Sequence, residues 1–130
     1  MTTIMIDTCA WIDFLRSGES KLGDMVSLAI AQDQACLCGV IAAELLQGCK
    51  HKKEQKQLHS LLSAIPSIPL LEKDWLDCGQ LMQRLRKKGI TIPLTDALIA
   101  TIAKRREFTV LTLDKHFTHL PVDLLLPPPL

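Results

Sequence analysis

The sequence predicts an α/β sandwich around a mostly parallel sheet, and three observations carry that expectation. Short β-prone runs alternate with one or two helical stretches along the whole chain. The 130 residues are 48% hydrophobic and 22% charged, ample for a core and incompatible with a disordered chain or a coiled coil. Two of the β-prone runs end on an aspartate, Asp7 and Asp114, which is where open parallel sheets bind ligands. A single domain over residues 1–130 follows from the length.

Thr3-Ile4-Met5-Ile6 reads as a buried strand stopped by Asp7-Thr8, with a helix next that places Trp11, Phe14 and Leu15 at helical spacing. Ser17-Gly18-Glu19-Ser20 breaks the pattern. Lys21 to Ala31 repeats apolar residues at i, i+3 and i+4 (Leu22, Met25, Val26, Ala29, Ile30). Ala35 to Cys38 is a second strand. A helix from Val40 carries Ile41, Leu45 and Leu46 and meets Gly48. The basic run Lys50-His51-Lys52-Lys53 leads into a helix up to Ala64. Prolines at both ends hold Pro66 to Leu71 extended. Lys73 to Lys88 is helical, with Leu76, Leu81 and Leu85 inward and Gly89 as the stop. Pro93-Leu94-Thr95-Asp96 starts a helix that ends on Lys104, Arg105 and Arg106. Phe108 to Leu113 is a strand ending at Asp114, Val122 to Leu126 a last one, and Pro127-Pro128-Pro129 an extended tail.

Composition removes several function classes. No run reaches the roughly 18 apolar residues of a membrane helix, and Met1 to Ile4 lacks the basic segment of a signal peptide. Five cysteines at 9, 36, 38, 49 and 78 make no disulfide framework and fit a reducing cytoplasm. Six scattered glycines form no phosphate loop, and no Gly-x-Ser-x-Gly elbow is present. A net charge of +1 names no partner.

The acids carry the chemistry. Glu19, Asp24, Asp33, Glu54, Glu72, Asp74, Asp77, Glu107 and Asp123 have polar neighbours and read as surface charge, whereas Asp7, Glu44, Asp96 and Asp114 are flanked by apolar or small residues. A carboxylate beside core residues is costly unless donors or a cation compensate it. Helix capping accounts for Asp7, Asp96 and Asp114 taken singly, but not for Glu44, which falls inside a helix. Four such carboxylates suit a hard cation such as Mg²⁺. Ions in such a pocket activate water and stabilise the leaving oxygen of a phosphodiester. Thr8 and Thr95 are placed to orient a carboxylate or the attacking water.

At these residues the chain resembles the PIN-domain nucleases, in particular the VapC-type toxins of prokaryotic toxin–antitoxin pairs. The matching pieces are Ile6-Asp7-Thr8, Ala43-Glu44-Leu45-Leu46-Gln47-Gly48, Thr95-Asp96-Ala97-Leu98-Ile99-Ala100 and Leu113-Asp114-Lys115-His116-Phe117. Their order and spacing together are specific, and they span nearly the whole chain. The resemblance implies a PIN-like three-layer α/β/α sandwich and a Mg²⁺- or Mn²⁺-dependent endoribonuclease. Asp7, Glu44, Asp96 and Asp114 are then the catalytic and metal-binding residues, and in-line attack of water leaves a 5′-phosphate and a 3′-hydroxyl. It also implies a cognate VapB-type antitoxin and a toxin homodimer. Surplus apolar residues on the first two helices and on the one after Val40 are expected to form the antitoxin's groove.

The remaining constellations are weaker. Cys36 and Cys38 share a strand face, and Cys9 and Cys78 are further thiols for a zinc site, but the spacing favours core packing. His116 and His119 lack further ligands; His116 is a candidate substrate contact. Trp11 and Trp75 are expected in the core. Basic residues cluster at Lys50, Lys52, Lys53 and Lys56, at Arg84, Arg86, Lys87 and Lys88, and at Lys104, Arg105 and Arg106. Lys50, Lys52 and Lys53 are the favoured RNA contacts, because they follow the helix that bears Glu44. Two rival functions remain: a receiver-like phospho-signalling module, which needs a phosphoacceptor acid after a middle strand, and a PIN scaffold that binds RNA or a partner without cutting.

Overall fold

Residues 2–16 and 19–127 are described by a computed structural model; the expected break at Ser17-Gly18 and the tail residues Pro128 and Pro129 lie outside them. Strand β1 (Ile4–Ile6) is followed by α1 (Thr8–Leu15) and α2 (Lys21–Ala31), then β2 (Ala35–Cys38) by α3 (Gly39–Gln47) and α4 (Lys52–Ala64). Strand β3 (Ser67–Ile68) precedes α5 (Glu72–Lys87) and α6 (Leu94–Arg106), and β4 (Thr109–Leu111) leads through a 3₁₀ turn (Lys115–His119) to β5 (Leu124–Leu125).

All neighbouring strands pair in parallel, in the order β3-β2-β1-β4-β5. β1 is central, and its three residues are buried; Ile4, Met5 and Ile6 stand opposite Thr109, Val110 and Leu111. The chain steps from β1 to β2 to β3 on one side, then returns to place β4 on the other. Right-handed crossovers therefore put α1 to α4 on one face and α5 and α6 on the opposite face. The order reverses between β1 and β4, and open parallel sheets bind ligands in the crevice beyond the strands' carboxyl ends at such a point.

Trp11, Val26, Ile41, Ile99 and Phe117 fill the layers on either side of the sheet. Helix α6 is buried on every face from Asp96 to Ala103, because it packs against α5, α3, β4 and the 3₁₀ turn at once. Its start therefore holds Asp96 on a rigid element. Ser20 caps α2, its Oγ accepting from the Gly23 N–H at 2.9 Å. Gly89 ends α5 with φ +79°, a conformation that glycine adopts without a Cβ penalty.

Four expectations need correction. Leu76 is 66% exposed and Trp75 is exposed as well; the buried stripe of α5 is Asp74, Cys78, Leu81 and Leu85. Asp74, expected on the surface, is 0% exposed. Its carboxylate accepts from Arg105 Nε at 2.8 Å and Nη2 at 2.9 Å, and from the Leu71 N–H at 2.8 Å. Arg105 is thereby withdrawn from its free basic cluster. Strand β4 stops at Leu111, so Asp114 lies three residues past the ladder rather than directly on its end.

Candidate active site

Each of the four predicted carboxylates reaches the crevice from a different element. Asp7 follows the central strand, and its N–H continues the ladder to the Leu111 carbonyl at 3.0 Å. It occupies the cap position of α1 without a side-chain cap bond. Its Oδ2 accepts instead from the Thr112 hydroxyl at 2.8 Å, with the Cys9 thiol at 3.6 Å. Glu44 projects from mid-α3, and the Thr8 hydroxyl donates to its Oε1 at 2.8 Å. Asp96 lies in the first turn of α6. Asp114 starts the 3₁₀ turn, accepting from the His116 N–H at 2.9 Å.

Thr112 was not singled out from the sequence, yet it joins the site together. The residue is fully buried, donates to Asp7, and accepts from the Asp114 N–H at 2.9 Å. One hydroxyl thus fixes acids from both sides of the crevice. Thr8 orients a carboxylate as expected. Thr95, half-buried beside Asp96, makes no side-chain hydrogen bond among the described residues.

The electrostatics tie the acids into one group. Burial raises the Asp7 carboxyl above its ordinary range against the pull of Thr112, and the Glu44 charge raises it further. Asp96 is pushed up to about 7 by burial, then by the charges of Asp114 and Asp7. Burial also opposes the Asp114 charge, but the His116 N–H, the Asp96 carboxyl and the His116 ring outweigh it and hold Asp114 low. His116 Nδ1 lies 2.8 Å from Asp114 Oδ1 and 3.4 Å from Asp96 Oδ2. That Asp96 oxygen is buried and accepts no hydrogen bond. One ligand atom from each of Asp96, Asp114 and His116 falls within 4.8 Å of the others; Asp7 and Glu44 lie outside that group. A buried, unsatisfied carboxylate oxygen among like charges is suited to a divalent cation, and an oxygen-rich donor set is what Mg²⁺ or Mn²⁺ takes.

Comparisons with known proteins bear on the family and the fold. A family model described as the PIN domain matches residues 4–123. The chain belongs to the PIN-domain family. Ribonuclease VapC11 of Mycobacterium tuberculosis is 27% identical over 118 residues, covering 88% of each chain. Among solved structures, VapBC2 from Rickettsia felis bound to a promoter DNA fragment aligns with a TM-score of 0.80 at 22% identity, over 95% of this chain and 98% of that one. DNA-bound VapBC from Salmonella typhimurium aligns with a TM-score of 0.82 at 20% identity, over 97% and 98%. At those identities the structures establish the PIN fold.

The cysteines form no common site, in keeping with the core packing that their spacing favours. Cys36 and Cys38 are buried in β2, and burial pushes the Cys36 thiol up to about 12. Cys78 packs near Met82 on α5 while Cys9 sits beside Asp7, so the thiols do not assemble. The receiver-like arrangement fails too: β3 is an edge strand and leads into α5. Lys50 on the α3–α4 connection and Lys52 and Lys53 at the start of α4 are exposed. Beside Glu44 a cleft of about 730 Å³ is lined by Ile12 and Leu15 of α1, Leu45 of α3, and Leu58 and Glu54 of α4. An apolar groove is present as expected, with α4 rather than α2 as its wall. Among the described residues no helix is long and apolar enough to cross a membrane.

Proposed function

We propose that this PIN domain is a Mg²⁺- or Mn²⁺-dependent endoribonuclease acting as the toxin of a toxin–antitoxin pair. The observation that carries the reading is the buried Asp96 oxygen without a donor, in a pocket where the charges of Asp114 and Asp7 oppose the ionisation of Asp96. Asp7, Glu44, Asp96 and Asp114 would hold the ion. Once bound, it neutralises charge developing on a phosphodiester and strengthens water as a nucleophile. The chain's own contribution is placement. Thr112 fixes Asp7 and the Asp114 backbone, Thr8 fixes Glu44, and α6 holds Asp96 still. Similarity to VapC11, a ribonuclease by name, supports RNA as the substrate.

The partner follows from the groove and from the VapBC complexes that share the fold. An apolar segment of a small antitoxin fits between α1, α3 and α4, with a basic side chain directed at Glu44. Two copies of the chain form the working toxin. The purified chain should cut single-stranded RNA only with Mg²⁺ or Mn²⁺, leaving 5′-phosphates, and chelator should stop it. RNA binding without cutting under any divalent ion would replace the nuclease with a non-cleaving scaffold.

A further inference from the structure

A second cleft, of about 400 Å³, lies between α5 and α6 and closes against Pro121. Two basic clusters that are separate in sequence meet there: Lys73 and Arg84 come from α5, Lys104 and Arg105 from α6. Arg105 is paired with Asp74. Lys73, Arg84 and Lys104 form no salt bridge among the described residues, and Asp77 is the one unpaired acid lining the cleft. The cleft near Glu44 differs, since Glu44 and Glu54 face it with only Arg16 to balance them. Lys50, Lys52 and Lys53 line neither cleft.

The cations are laid out along a line. Lys73, Asp77, Gln80 and Arg84 fall at i, i+4, i+7 and i+11 on one stripe of α5, next to the buried stripe. At 1.5 Å per residue that stripe is about 16 Å long, a trough for an extended polyanion rather than a cup for a single anion. Leu81 and Pro121 give it an apolar floor for ribose and base faces. The short connection between α5 and α6 makes them antiparallel neighbours, so Arg84 lies nearer the start of α6, where Asp96 stands. Lys104 is eight residues, about 12 Å, further down α6.

We propose that the α5–α6 cleft is a second nucleic-acid site, in which Lys73, Arg84 and Lys104 hold the phosphodiester backbone of the RNA strand engaged at the carboxylate pocket. The proposal rests on the ribonuclease reading. Backbone contacts of this kind position a strand without reading its sequence, and they release counterions.

The test is a binding isotherm in chelator, so that nothing is cut, using a labelled mixed-sequence single-stranded RNA at several salt concentrations. Replacing Lys73, Arg84 and Lys104 by glutamine should reduce the slope of log affinity against log salt by about 2, from roughly 0.7 per phosphate contact. Asp77→Asn removes the opposing charge and should tighten binding, a gain that no folding defect imitates. Arg84→Lys in the otherwise wild-type chain should keep the slope. Cleavage of the same RNA by wild type with Mn²⁺ is measured in parallel. If wild type cuts while the triple variant keeps the wild-type affinity and slope, the cleft is not an RNA site and the nuclease reading stands. If wild type neither binds nor cuts, the nuclease reading falls and takes this site with it.

Discussion

Replacing Thr112 with valine removes one hydroxyl and keeps the β-branched shape of a residue with no exposure. Three contacts are lost: donation to Asp7 Oδ2 at 2.8 Å, acceptance from the Asp114 N–H at 2.9 Å, and the weaker contact with the Cys9 thiol at 3.6 Å. A hydrogen bond to a charged group contributes about 1.5–3 kcal/mol and a neutral one about 0.5–1.5. Thr112→Val should therefore cost roughly 2–4 kcal/mol where Asp7 is ionised. The loss depends on pH. Burial already holds the Asp7 carboxyl above its ordinary value of 3.8 in the folded chain, and losing the Thr112 donor raises it further. The folded variant then keeps a proton that the unfolded chain has released, so its deficit grows as pH rises through the folded-state pKa. Thermal unfolding without metal, compared near pH 4 and near pH 8, should show a smaller deficit at the first than at the second. Mn²⁺ should stabilise the variant less than wild type, because Asp7 is misplaced and partly protonated. Thr112→Ser should recover most of both effects. A valine variant that unfolds and responds to Mn²⁺ as wild type does would refute the bridging role. A serine variant as damaged as valine would assign the effect to packing of the methyl group.

Asp74→Ala strands Arg105, which is 17% exposed at its side chain; chemical denaturation should show a loss of about 3 kcal/mol, the low end for breaking a buried pair. Burial opposes the Asp74 charge, but Arg105 and the Leu71 N–H outweigh it and hold the carboxyl low. Its stabilisation is thus present above about pH 4 and lost as pH falls through the folded pKa, so the wild-type acid limb should be steeper than that of Asp74→Ala. Asp96, pushed up to about 7, acts in the opposite sense. Metal-free wild type should lose stability as pH rises from about 4 to 7, and Asp96→Asn should flatten that decline; a decline equal in both proteins would contradict it. Expression of the chain alone should arrest growth, and co-expression of its cognate antitoxin should relieve it. Undiminished growth with cleavage-competent chain present would count against the toxin role.

Much of this architecture was legible because strands, helices and acids occur in a fixed order. Asp7 and Asp114, each after a strand, pointed to the sheet's carboxyl edge, and Glu44 inside a helix, where no cap explains it, set these acids apart from surface charge. Asp74 was misread from its neighbours Lys73 and Trp75. The signal was in the stripe instead: Asp74, Cys78, Leu81 and Leu85 repeat at i, i+4, i+7 and i+11, so the acid lies on the buried face. Leu76 is off that stripe and faces solvent. Arg105, its partner, is 31 residues away, a pairing that no local pattern reveals. Thr112 escaped notice inside an apparent strand, since its role depends on β1 and β4 lying side by side. Helix α6 shows almost no amphipathic pattern because it is enclosed on all sides, so its central position emerges only from the packing.

The central claim is that the carboxylates at the β1–β4 crevice hold the divalent ion that cuts RNA. It is tested most directly by following Mn²⁺ binding and RNA cleavage in the same samples of wild type and Asp96→Asn. Wild type should bind Mn²⁺, seen as loss of the free-ion resonance, and cut RNA in step with occupancy. Asp96→Asn should remain folded, bind Mn²⁺ far more weakly and leave the RNA intact. Cleavage by the Asn variant at the wild-type rate, or wild-type cleavage that persists in chelator, would contradict the claim.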